Sequence, residues 1–189
     1  MAFSAAFSFG LIVSLLVAIV IVFTKKLHGH LSMDSAEGVQ KLHKTPTPRV
    51  GGVALFAGAV MGGINLPAEA QWMWWMLCLS AIPAFAFGLL EDVTKRVGVK
   101  TRLVATLFSG LIFCMLTGYQ ITRVDIPGLD WVFSFWLLSL LFTAFAIAGI
   151  ANAINIIDGV NGLASGTSII ILSGFAIVAQ QTGDMVLVG

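Results

Sequence analysis

The chain has 189 residues, of which 58% are hydrophobic and 10% charged, and its mean hydropathy is +0.99. Soluble domains carry roughly 25% charged residues, so this composition excludes a water-soluble globular fold. A formal net charge of +1 gives no long-range field and argues against nucleic acid as a partner.

Residues 3–23 (FSAAFSFGLIVSLLVAIVIVF) form one apolar run, as long as the ~20 residues needed to cross a bilayer core. No basic stretch precedes it, and Lys25 and Lys26 follow at once. It therefore reads as an uncleaved first span and not as a secretory signal. Further spans are predicted at roughly 50–66, 73–90, 103–118, 131–150 and 163–180. The second is short and glycine-rich (Gly51, Gly52, Gly58, Gly62, Gly63), which suits close helix packing. Trp72, Trp74 and Trp75 open the third, and Tyr119 closes the fourth, as interface anchors. Cys78 and Cys114 lie inside apolar runs with no partner at metal-ligand spacing, and read as buried thiols.

Lipid offers the backbone no hydrogen bonds, and the period-2 alternation of a membrane barrel is absent, so each run is read as helix. The expected fold is all-α: a polytopic transmembrane helix bundle of about six spans, forming a single transmembrane domain over 1–189. A further apolar run (MVLVG) begins as the sequence stops at Gly189, which reads as a truncation.

Orientation follows from the basic residues. Lys25, Lys26, Lys41, Lys44 and Arg49 fall in the first connection, and Lys95, Arg96, Lys100 and Arg102 in the third. The second connection has none and the fourth has only Arg123. Connections one, three and five are therefore expected in the cytoplasm, and the N-terminus outside.

The polar chemistry gathers in those cytoplasmic connections. The first ends in HKTPTPRVGG, His43 to Gly52. Pro46 and Pro48 keep it extended, and Gly51 and Gly52 let the chain turn into the next span. Lys44 and Arg49 serve there either as positive-inside anchors or as phosphate ligands. The next is GLLEDVTKRVGVKTRL, Gly88 to Leu103. Glu91 and Asp92 are adjacent carboxylates at a helix C-terminus, where repulsion and the helix dipole both disfavour them. Either a divalent cation relieves that pair, or Lys95 and Arg96 neutralise it at the water boundary. The last is NAINIIDGVNGLASG, Asn152 to Gly166, without a Lys or Arg. Asn152 and Asn155 share a helix face, with Asp158 one turn later, and Gly159 and Gly162 break the helix around Asn161. Such a ladder either faces a polar cavity or ties helices together. A membrane transporter or lipid-binding module without chemistry is the alternative, since glycine-broken helices with Asn and Asp also form transporter sites.

These three stretches, in this order and spacing, resemble the first signature regions of the polyprenyl-phosphate N-acetylhexosamine-1-phosphate transferases. That group is the glycosyltransferase 4, or phospho-MurNAc-pentapeptide-transferase, family. The resemblance implies a Mg2+-dependent enzyme (Mn2+ as substitute) that moves a sugar 1-phosphate from a UDP-N-acetylhexosamine onto undecaprenyl phosphate, releasing UMP. It also implies a bacterial inner (cytoplasmic) membrane, an active face in the cytoplasm, and compatibility with a homodimer. The PTPRxGG form looks more like the branch that starts O-antigen (lipopolysaccharide), teichoic acid or related cell-envelope polymers than the peptidoglycan branch.

Carried over by position, Glu91 and Asp92 match the family's acidic pair and Asp158 the aspartate of its N-x-x-D-G motif. Glu91, Asp92 and Asp158 are thus the expected catalytic and metal residues. Lys44, Arg49, Asn152, Asn155 and Asn161 are the expected substrate-binding residues. Glu91 stands where the family has aspartate, and Asn161 where many members have a second one. The family's later metal aspartate and His-rich loop have no counterpart within 1–189, so this polypeptide by itself is expected to insert but not to turn over.

Overall fold

The computed structural model describes residues 2–25, 50–158 and 162–184. Among them the chain forms helices and no strand, as the lipid argument requires. The helices are α1 (Ala2–Phe23), α2 (Gly51–Gly63), α3 (Ala68–Thr94), α4 (Val99–Thr117), α5 (Leu129–Phe133), α6 (Trp136–Ile157) and α7 (Leu163–Thr182). Five of them, α1, α3, α4, α6 and α7, are long and apolar enough to cross a membrane.

The remaining predicted span is shorter than expected. In place of 50–66 the helix α2 has 13 residues, or ~20 Å at the usual rise, and Gly51 and Gly52 are its first residues, not a turn before it. Several other boundaries, at the basic end above all, move outward. α3 runs on to Thr94 and α4 starts at Val99, so the stretch read as a loop from 88 to 103 is helical except for 95–98. α6 continues to Ile157 and takes Asn152 and Asn155 with it, while the start of the predicted fifth span separates as α5. Hydropathy marks where a chain leaves lipid. A helix goes on past that plane until a residue with other φ/ψ stops it: Lys95 ends α3 at φ 55°, and Gly118 ends α4 at φ 74° with its N–H on Cys114 O at 2.9 Å.

The long helices and α2 pack as a row in which each meets the next. α1 and α2 touch through backbone: a Cβ on Gly10 would stand 2.8 Å from Gly58 O, and one on Gly58 only 2.7 Å from Gly10 O. α2 meets α3 through stacked Phe56 and Phe85 rings, 4.3 Å apart, and through Trp74 Nε1–H donating to Ala59 O at 3.0 Å. The α4–α6 seam is close enough that a Cβ on Gly110 would stand 2.8 Å from Ala144 Cα, and the small residues Ala105, Ala144 and Ala148 of these helices are buried. Most large apolar side chains on the outer faces are exposed, as lipid contact demands.

Polar groups at depth are satisfied. Ala84 N–H, one residue after the helix-interior Pro83, donates to Ser109 Oγ of α4 at 3.0 Å. The non-helical Ile121 lies against α6, where its N–H donates to Thr143 Oγ1 at 2.8 Å and its carbonyl accepts from the fully buried Ser139 Oγ at 2.7 Å.

The antiparallel order separates the two ends of the row. Trp72, Trp74, Trp75, Trp131 and Trp136 all fall at one end. Lys25, Lys95, Arg96, Lys100 and Arg102 fall at the other, together with Glu91, Asp92, Asn152 and Asn155.

Candidate active site

The basic end is assembled by a four-residue turn between two long helices. Glu91 and Asp92 occupy the last turn of α3. The left-handed Lys95 then closes it, its N–H on Glu91 O at 2.7 Å, and Thr94 Oγ1–H donates back to Leu90 O at 2.6 Å. Gly98 is extended and leads into α4, whose first turn carries Arg102. This reversal sets the Arg102 guanidinium in an ion pair with the Glu91 carboxylate, their side chains 25% and 21% exposed.

Across from the pair stands α6. Asn152 and Asn155 share a face there and reach a cavity of about 210 Å³ that Glu91, Asp92, Arg102 and Thr106 also line. A second cavity, of about 140 Å³, lies on the other side of Asp92 and Gly88 and is bounded by Gly52 and Val53 of α2. It is nearly all apolar, with Phe85 and Leu89 among its walls. Asp92 thus stands between a polar chamber shared by three helices and an apolar one reaching the start of α2.

Of the residues singled out from sequence, four are brought together here: Glu91, Asp92, Asn152 and Asn155. Asp158 follows α6 as its capping residue, exposed and one turn beyond Asn155, and does not line either cavity. Lys44, Arg49 and Asn161 lie outside the described residues. Arg102 is the residue that sequence reasoning passed over, because it was counted only as one more basic charge at the inner boundary. Its signal was its place: a cation in the first turn of an apolar helix, where the dipole disfavours it.

The donor set bears on a metal. Among the described residues no group of three or more His, Cys, Asp or Glu side chains could hold an ion by itself. What the chamber does offer is carboxylate and amide oxygens beside a space for ligand, the pattern of a Mg2+ bound jointly by one or two carboxylates and substrate phosphates. The residues fit a metal that arrives with its phosphate.

The family model for glycosyl transferase family 4 matches residues 74–188, from α3 through α7. The chain belongs to glycosyl transferase family 4. It is 29% identical over 177 residues to a probable undecaprenyl-phosphate N-acetylglucosaminyl 1-phosphate transferase of Bacillus subtilis, covering 93% of this chain and 49% of that protein. It is 31% identical over 161 residues to a phospho-N-acetylmuramoyl-pentapeptide-transferase of Synechococcus, covering 77% of this chain and 45% of the other. A transferase of the latter name from Acaryochloris marina is 34% identical over 155 residues, with 75% and 41% covered. The chain spans about half the length of these curated relatives. No solved structure matches it.

Proposed function

We propose that this protein is part of an enzyme that transfers a sugar 1-phosphate from a UDP-N-acetylhexosamine to undecaprenyl phosphate. In that reaction an oxygen of the lipid phosphate attacks the phosphorus that bears the sugar, the bond to the bridging oxygen breaks, and UMP leaves. The observation that carries the reading is the convergence at one membrane face: Asp92 sits between a polar chamber with Asn152, Asn155 and Arg102 and an apolar one. A reaction between a soluble diphosphate and a membrane-held phosphate needs that pairing of surroundings. The family match and the named relatives support it.

The roles follow from the chemistry of each group. Asp92, with amide oxygens of Asn152 and Asn155, would hold Mg2+ together with substrate phosphates. When bound, that ion offsets the charge building on the phosphate oxygens during transfer. The two asparagines, on one face of α6, would orient the diphosphate, and Asp158, which caps the same helix, would contact the donor beyond the chamber. Lys44 and Arg49, which precede the glycines that open α2, bind the acceptor phosphate. The basic end faces the cytoplasm, where the nucleotide sugar is, and the product begins a lipid-linked polymer of the bacterial cell envelope.

The test uses the protein from its complete gene, reconstituted with undecaprenyl phosphate, Mg2+ and a panel of UDP-sugars. Lipid-linked sugar and UMP should form together, and Asp92→Asn should lower turnover about 100-fold or more, the scale of removing one electrostatic stabiliser. Near-parental activity in both Asp92→Asn and Asp158→Asn would refute the site. Uptake into proteoliposomes with no lipid-linked product would refute the reaction.

A further inference from the structure

Glu91 and Arg102 both stand where helix electrostatics disfavour them. Glu91 is in the last turn of α3, at its partly negative end, and Arg102 in the first turn of α4, at its partly positive end. Neither end needs the pair for capping. Lys95 closes α3 through its backbone, and Arg102 N–H is already on Gly98 O at 3.2 Å. Their ion pair offsets the cost of both placements, and it stands in the wall of the polar chamber, where its charges can meet a ligand.

The contact itself is asymmetric. Glu91 Oε2 engages Nη1 of Arg102. A guanidinium carries five N–H donors in one plane, so a carboxylate on one edge fixes the direction of the rest. Among the described residues the other polar side chains around the chamber are Asp92, Thr106, Asn152 and Asn155, none of them cationic. Arg102 is therefore the cation of this lining, and a planar fork held on one side suits the oxygens of a phosphate on the other.

We propose that the two adjacent acids have different tasks: Glu91 is a positioning residue that orients Arg102, and Arg102 binds a phosphate oxygen of a substrate in the chamber. The assignment rests on the phosphate-transfer reading of this site. The phosphate is that of the lipid acceptor or the diphosphate of the nucleotide sugar, which share the same recognition chemistry.

Steady-state kinetics on the protein from its complete gene separate these sources. Arg102→Gln should raise KM about tenfold or more for one substrate and leave the KM of the other within about threefold, so the affected substrate names the phosphate. Arg102→Lys should fall between, since a point charge replaces the charge but not the fork. Glu91→Gln should raise the same KM by a smaller factor. Binding is read independently with inorganic pyrophosphate, which should protect the wild type against heat and fail to protect Arg102→Gln. If no lipid-linked sugar forms but Arg102-dependent protection persists, the reaction falls and the Arg102 assignment stands. If Arg102→Gln keeps both KM values and its protection, the assignment is overturned. Should Arg102→Gln fail to fold, the Glu91→Gln/Arg102→Gln double variant removes both charges. A raised KM there supports phosphate binding, whereas parental KM values show the pair to be structural only.

Discussion

Ser109 is buried on α4 and spends its hydroxyl on a neighbour's backbone. Pro83 inside α3 lacks an N–H and crowds the preceding turn, and the next amide, Ala84 N–H, is held by Ser109 Oγ. Ala84 also lines the polar chamber, so the bond ties a proline-disturbed helix to the wall of the site. Ser109→Ala should lower stability by about 1–3 kcal/mol, the cost of a buried donor left without its partner. Thermal unfolding in detergent would show it as a lower midpoint, and an unchanged midpoint would mean that the Ala84 amide is satisfied within its own helix. Glu91 and Arg102, eleven positions apart in sequence, meet because the left-handed Lys95 and extended Gly98 reverse the chain within four residues.

Among the elements, the α1–α2 pair shows how a 13-residue helix can be held in a membrane protein. Lipid tails are as apolar as leucine, so burial cannot drive the helices together, and close van der Waals contact must. Gly10, Gly58 and Gly62 bring the two backbones into that contact, and no side chain fits between them. Gly58→Val should therefore separate the pair and cost about 1–3 kcal/mol or more, as overpacking does. Thermal unfolding in detergent should show a lower midpoint for Gly58→Val, while an unchanged midpoint would show that the helices pack by another route. The effect should reach the site, because Gly52 and Val53 at the other end of α2 bound the apolar chamber beside Asp92.

For the whole molecule, the row of helices sorts its residues by end. The five tryptophans gather at one boundary and five of the basic residues at the other, with the site at the basic boundary. Reporter fusions after Lys41, Arg96 and Asn161 should report cytoplasm, and fusions after Glu69 and Asp125 the outside. The test is stringent for α2, which is ~20 Å long. If α2 failed to cross, the reporters at Glu69 and Lys41 would fall on the same side.

Class, number of apolar runs, charge asymmetry of the ends, the adjacency of Glu91 and Asp92 and the shared face of Asn152 and Asn155 were all legible in the sequence. Each of these is a local property: insertion depends on a segment's own apolar length, orientation on the charges flanking it, and a shared helix face on spacing alone. Helix ends were displaced, at Thr94, Val99 and Ile157, because a helix stops where its backbone conformation changes and not where lipid does. Only the tertiary structure decided which groups meet. The Glu91–Arg102 pair, the placing of Asp92 between two chambers, and the hold of Ser139 and Thr143 on Ile121 all depend on how one helix turns into the next and how closely small residues let them approach. Those are relations between segments, which no single segment's composition encodes.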